Sequence, residues 1–232
     1  MNFEIDSFVS TSGNIFGGFA SYLIVMFSFL LHLVKTFEYQ NPYEIVGKIE
    51  MNLDELKSVL SKPVNLKIDY DERYSLASVL VVIHGKEPQI VMTEKPKHMK
   101  FHAGEISFPG GKLEDADSDL LDTALRETSE EIGLHLSREQ VIGQLEPVVT
   151  LNSGFLILPF ISVINEIPPL LANPEVEKIF HIPLKSFLKT MSKDPDPSHN
   201  IIQEMYTFEY QNQIVWGASA RILKQIRNLV GF

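Results

Sequence analysis

Phe108-Pro109-Gly110-Gly111, followed downstream by Arg126-Glu127-Thr128-Ser129-Glu130-Glu131-Ile132-Gly133-Leu134, is the stretch of this 232-residue chain whose reading decides the fold. Glu127, Glu130 and Glu131 stand at i, i+3 and i+4, so a helix carries their carboxylates to one side, about one turn apart. Like charges at that spacing repel and weaken the helix. A hard divalent cation removes the conflict, because Mg²⁺ prefers carboxylate and phosphate oxygens and keeps its remaining positions wet. A solvated acidic face is the alternative meaning of such a run. Three features argue against it: Arg126 directly before the first glutamate, Gly133 as a helix stop, and the pair Gly110-Gly111 upstream, where backbone can approach a phosphate.

This stretch resembles the Nudix box, G-x5-E-x7-R-E-U-x-E-E-x-G-U with U aliphatic. Arg126, Glu127, Glu130, Glu131, Gly133 and Leu134 match it. Thr128 stands where an aliphatic residue is usual, Asp117 where the loop glutamate belongs, and the spacing from Gly111 to Arg126 is one residue longer than the general pattern. That longer spacing is similar to the coenzyme A pyrophosphatase branch of the family. The branch has a second signature, L-L-T-x-R-[SA]-x3-R-x3-G-x3-F-P-G-G. Here Val91-Met92-Thr93-Glu94-Lys95-Pro96 leads through Lys100 and Gly104 to Phe108-Pro109-Gly110-Gly111 with every gap preserved. Both arginines of the signature are lysines in this chain. The charge survives, but the bidentate fork that suits phosphate does not. Lys95, Lys100, Gly104, Gly110 and Gly111 are accordingly read as a substrate-facing loop. The competing reading of Lys95, Lys97, His98, Lys100 and His102 is a solvated basic loop.

The resemblance spans roughly residues 70 to 230 and implies an α/β fold, a Nudix-type α/β/α sandwich with a mixed sheet, preceded here by a hydrophobic N-terminal segment. It implies hydrolysis of the diphosphate of coenzyme A or a CoA ester, giving 3′,5′-ADP and the (acyl-)phosphopantetheine half. The cofactor would be Mg²⁺ or Mn²⁺, held by Glu127, Glu130 and Glu131, with a carbonyl from the Gly110-Gly111 region. Arg126 belongs to the catalytic set with Glu127 and Glu130, as the residue that holds a glutamate in place. A carboxylate must also activate water: Glu127 or Glu130 from the helix, or Glu175 or Glu177 from a later loop. Glu105 is either an extra ligand or an exposed acid, and Phe155 either a stacking surface or part of the core. Two other functions stay open. One is a Nudix hydrolase of another nucleoside diphosphate derivative (ADP-ribose, NADH) or of a nucleotide triphosphate. The other is a silent nucleotide-binding Nudix domain.

Composition narrows the partners. The net charge of -10 leaves no broad basic stripe to neutralise a nucleic-acid backbone, so the expected partner is a small nucleotide. The absence of cysteine excludes disulfides, thiolate metal sites and cysteine nucleophiles. The seven histidines show no zinc spacing. Ser7 to Val34 carries no formal charge, and residues 15–34 are long enough to span a bilayer as a helix. Lys35 and Lys48 beyond it favour a cytoplasmic, membrane-anchored catalytic domain. A buried core helix or an upstream extension would read the same way. The division expected is 1–50 as this N-terminal segment and 51–232 as the hydrolase domain. No feature sets an oligomeric state.

From Met51 onward the elements alternate. Leu53 to Leu60 reads as a short helix, Tyr74 to His84 as a central strand, and Pro88 to Thr93 as its hairpin partner. The catalytic helix follows Asp115, Asp117, Ser118 and Asp119, which supply acceptors for its first amides. Its docking side is Leu121, Ala124, Leu125 and Ile132. Further strands are expected at Gly143 to Thr150, Phe155 to Ile164 and Glu175 to Ile182, and a helix at Leu184 to Thr190. A hairpin across Asn212 joins Met205–Tyr210 to Gln213–Trp216, and Ala218 to Val230 forms a closing helix.

Overall fold

The period-two alternation along the first long strand sorts the whole interior into two layers. The computed structural model describes residues 51–67, 69–99, 102–151, 153–196 and 205–232. Strand β1 is Ser75–His84, and β7, Phe155–Ile164, lies parallel to it over its full length, from Ser75 opposite Phe155 to His84 opposite Ile164. Strand β2 (Gln89–Glu94) returns antiparallel to β1, and β4 (Gly110–Lys112) pairs antiparallel with the start of β1. Strand β3 (Ile106–Ser107) and strand β8 (Lys178–Pro183) both pair antiparallel with β2. The result is a mixed sheet with the central order β3-β2-β1-β7-β5, where β5 is Gly143–Gln144.

Successive side chains of a strand face opposite sides. Leu80 and Val82 therefore join Val91, Leu158 and Phe160 on one face, under Leu121, Ala124 and Ile132 of helix α2 (Leu120–Ile132). Val81 and Ile83 join Ile90, Met92, Ile161 and Val163 on the other. That second face is covered by Leu56 and Leu60 of helix α1 (Leu53–Leu60) and by Ile222, Leu223 and Ile226 of helix α4 (Gly217–Leu229), with helix α3 (Leu184–Leu188) beside them. Helix, sheet, helix is the layering the sequence predicts. A smaller sheet is formed by β9 (Ser192–Lys193), β10 (Tyr206–Tyr210) and β11 (Gln213–Val215). Its hairpin turns through Gln211 and Asn212, both with positive φ, as a two-residue turn of matching twist requires.

Several expected elements are shorter than their sequence suggests. The helix expected at Leu184 to Thr190 ends at Leu188, one strand is interrupted and another starts late. Gly143 to Thr150 is not one strand but β5 and β6 (Val148–Val149), each two residues long. Pro147 has no N–H for a ladder, and the break falls there. Glu175 to Ile182 is extended only from Lys178. Before it, Glu175 N–H bonds the side chain of Asn173 and Val176 N–H its carbonyl, which makes a turn instead. The run 15–34 read as a membrane span lies outside the described residues. No helix among the described residues is long and apolar enough to cross a membrane.

Candidate active site

Helix α2 starts at a built cap. Asp119 accepts from the amides of Leu121 and Asp122, and Arg138 clamps Asp119 and Asp122 from the following 3₁₀ turn. It ends at Gly133, whose φ of 68° is the left-handed stop that glycine makes without strain. Between these ends Leu120, Leu121, Ala124, Thr128 and Ile132 are buried, and that docking rotation points Glu127, Glu130 and Glu131 along one edge. Leu125, expected on the docking side, is only half-buried. Thr128 takes the position where the family pattern has an aliphatic residue. It is fully buried, and its hydroxyl is satisfied by donating to the carbonyl of Ala124 at 2.6 Å.

Arg126 organises the acidic face. Its Nε and Nη2 donate to the two oxygens of Asp117, its Nη1 to Glu127 Oε1 (3.0 Å) and Glu130 Oε2 (3.1 Å), and Nη2 again to the carbonyl of Lys112. All five guanidinium N–H groups are thus used inside the protein. Asp117 further accepts from Thr123 Oγ1 and the amide of Glu114, and these bonds hold its pKa down to about 2, with Arg126 as the largest cause. Asp117 is a site residue that the pattern names only as a departure. Its position on the far side of Arg126 is the signal that identifies its role.

The glycine pair is shaped by the helix. A Cβ on Gly111 would lie 2.1 Å from Glu127 Oε1, so a larger residue there would displace that carboxylate. A Cβ on Gly110 would lie 2.2 Å from the carbonyl of Ser78, because β4 lies close against β1 there. The amide of Gly110 donates to Glu131 Oε2 at 3.2 Å, and Lys95 Nζ donates to Glu131 Oε1 at 2.6 Å. Glu131 is 2% exposed, so both its oxygens are committed within the fold. Lys95 therefore stands on a carboxylate of the helix rather than free in the loop. Burial pushes the Glu127 and Glu131 carboxyls above the ordinary glutamate value, opposed by Arg126 and Lys95 respectively.

The remaining candidates divide. Gly104, with φ 72°, closes the 95–105 loop by donating to the carbonyl of Lys95, while Lys95 N–H returns to Glu105 O. Glu105 bonds the ring of His102, and Lys100 lies outside the described residues. The chain after Asn173 abuts α2 through Asn173 N–H on the Glu131 carbonyl, and the charge of Glu175 acts on Glu131. Glu177 belongs to a separate cavity. Phe155 is half-buried with Lys112 Nζ 5.0 Å from its ring centre.

The donor set suits a hard divalent cation: three carboxylates on one edge, and a glycine whose absent Cβ makes space for one of them. In the geometry described, Arg126 and Lys95 neutralise those oxygens, and no three acidic or histidine side chains converge on one point among the described residues. Glu127, Glu130 and Glu131 are the residues that would hold the ion.

The domain pattern described as "NUDIX domain" matches residues 75–202. Over 158 residues the chain is 33% identical to a Yersinia enterocolitica protein named "Uncharacterized Nudix hydrolase NudL", covering 66% of this chain and 80% of that protein. The Yersinia pestis protein of the same name is 34% identical, with 66% and 79% covered. A MutT/nudix family crystal structure from Enterococcus faecalis superposes with a TM-score of 0.48 at 16% identity, over 71% of this chain and 65% of that one. The chain belongs to the Nudix family, and it is a hydrolase of pyrophosphate bonds. Nudix hydrolases generally use divalent metal ions.

Proposed function

We propose that this Nudix hydrolase cuts the diphosphate of coenzyme A or a CoA ester, with Mg²⁺ or Mn²⁺ as cofactor. The observation that carries the reading is the preserved register from Lys95 through Gly104 to Phe108-Pro109-Gly110-Gly111, the branch's second signature, in a chain whose helix keeps Arg126, Glu127, Glu130 and Glu131. The products would be 3′,5′-ADP and (acyl-)phosphopantetheine.

The bound metal would neutralise diphosphate oxygens and acidify a water. The protein's own part is positional. Arg126 holds Glu127, and Lys95 and the Gly110 amide hold Glu131, before substrate arrives. Arg126 has no donor left for substrate and acts through the glutamates. Glycine at 111 leaves the Glu127 carboxylate its place, and glycine at 110 lets β4 lie close against β1. One carboxylate of the cluster takes the proton of the attacking water.

The test is a panel of CoA, acetyl-CoA, ADP-ribose, NADH and nucleoside triphosphates, incubated with Mg²⁺ or Mn²⁺ and read by product mass. CoA or its ester should turn over fastest, yielding 3′,5′-ADP. Faster cleavage of ADP-ribose, or binding without turnover of any member, would overturn the reading.

A further inference from the structure

Beyond the acidic edge, on the opposite face of the sheet's end, lies a cavity of about 480 Å³ lined by Glu94, Lys97, His98, Glu177, Lys178 and Gln213. Its volume falls within the range of small-molecule sites. It adjoins the candidate active site through the Glu94–Lys95 peptide at the end of β2. Lys95 turns to Glu131 under α2, and the alternation of the strand turns Glu94 to the other side. There the antiparallel register sets Lys178 directly opposite Glu94, and the β10–β11 hairpin supplies Gln213.

Two polar side chains of this cavity are under-satisfied. Glu94 is 5% exposed, and its carboxylate has one side-chain partner, Gln213 Nε2, at the long distance of 3.4 Å. Gln213 Oε1 is buried with no partner. A carboxylate only accepts, so Glu94 holds the amide nitrogen of Gln213 toward itself and leaves the amide oxygen unbonded. Buried polar atoms are ordinarily paired, and such a pair lining a cavity calls for a ligand that donates. The formal charges of Lys97 and Lys178 balance those of Glu94 and Glu177, which favours an uncharged group over a phosphate here.

We propose that this cavity is the base subsite of the enzyme, and that it takes adenine, whose exocyclic amine donates to Glu94 and Gln213. The amine offers two hydrogens to two acceptors. Hypoxanthine places a carbonyl oxygen at the same position and meets those acceptors with a third. The proposal rests on the reading of the chain as a hydrolase of adenine-bearing diphosphates. It does not depend on whether CoA or ADP-ribose is the better substrate, since both carry the base.

The experiment is calorimetric titration of the full-length protein with 5′-AMP, 5′-IMP and 4′-phosphopantetheine, so that no turnover is needed. Wild type should bind AMP at least about tenfold tighter than IMP, the worth of about 1.4 kcal/mol. Gln213→Leu, on the half-buried hairpin, and Glu94→Gln, which supplies a donor, should each bring the two nucleotides within about twofold. Equal binding of AMP and IMP to wild type overturns the assignment. So does absence of AMP binding at millimolar concentration, tighter binding of phosphopantetheine than AMP, or a preference that survives both substitutions.

Discussion

Arg126 and Asp117 share two parallel hydrogen bonds, Nε to Oδ1 at 2.9 Å and Nη2 to Oδ2 at 3.0 Å, with the Asp117 side chain 4% exposed. A bidentate pair of this kind fixes the plane of the guanidinium, and that plane sets where Nη1 meets Glu127 and Glu130. The shorter acid stands where the family pattern has a glutamate, and here it pairs with Arg126.

Asp117→Asn should lower stability by roughly 2 kcal/mol at neutral pH, from a folded pKa of about 2 against the ordinary 3.8. Because the folded value is the depressed one, the contribution is complete above about pH 4 and disappears as pH falls through about 2. Urea unfolding of both proteins between pH 2 and 7 should show their gap closing in that window. A gap that stays constant down to pH 2 would contradict the assignment.

The two glycines should separate fold from activity. At Gly110 an added Cβ meets backbone, the carbonyl of Ser78 and the Cα of Val79, which cannot move without opening β1 from β4. At Gly111 it meets the movable carboxylate of Glu127. Gly110→Ala should therefore cost several kcal/mol of stability, beyond the ordinary range of single substitutions. Gly111→Ala should fold with a melting temperature within a few degrees of wild type and lose turnover by about a hundredfold or more. A Gly111→Ala protein with normal turnover would refute the close packing of Glu127.

Lys95 and Glu131 form a largely buried pair at 2.6 Å. Lys95→Ala leaves the carboxylate without its cation, and breaking such a pair costs roughly 3 kcal/mol. The loss should appear in metal-free protein, and millimolar Mn²⁺ should restore part of it by neutralising the same carboxylate. Thermal melts with and without Mn²⁺ measure both effects. A variant as stable as wild type without metal would show that the pair contributes nothing.

The sandwich was legible because its signals are local. Leu80, Val81, Val82 and Ile83 alternate between two cores, and Gly133, Asn212 and Asp119 announce a stop, a turn and a cap. The acidic edge was legible because i, i+3, i+4 spacing fixes direction on any helix. What escaped depended on contacts between distant segments. Nothing near Lys95 shows that its ammonium reaches Glu131, 36 positions away, rather than a phosphate. Nor does β11 reveal that Gln213 meets Glu94 across 119 positions. The expected strand at Gly143 to Thr150 failed at Pro147, a residue whose missing donor could have been weighed at the start.

The central claim is that the carboxylates of α2 form the metal site of a diphosphate hydrolase. It is tested most directly by titrating Mn²⁺ into wild type, Glu127→Gln and Glu131→Gln, following the electron paramagnetic resonance signal of the free ion, with circular dichroism on the same samples. We predict saturable Mn²⁺ binding to wild type and at least about tenfold weaker binding to each variant, whose dichroism stays native. Native-like variants that bind Mn²⁺ as tightly as wild type would contradict the account.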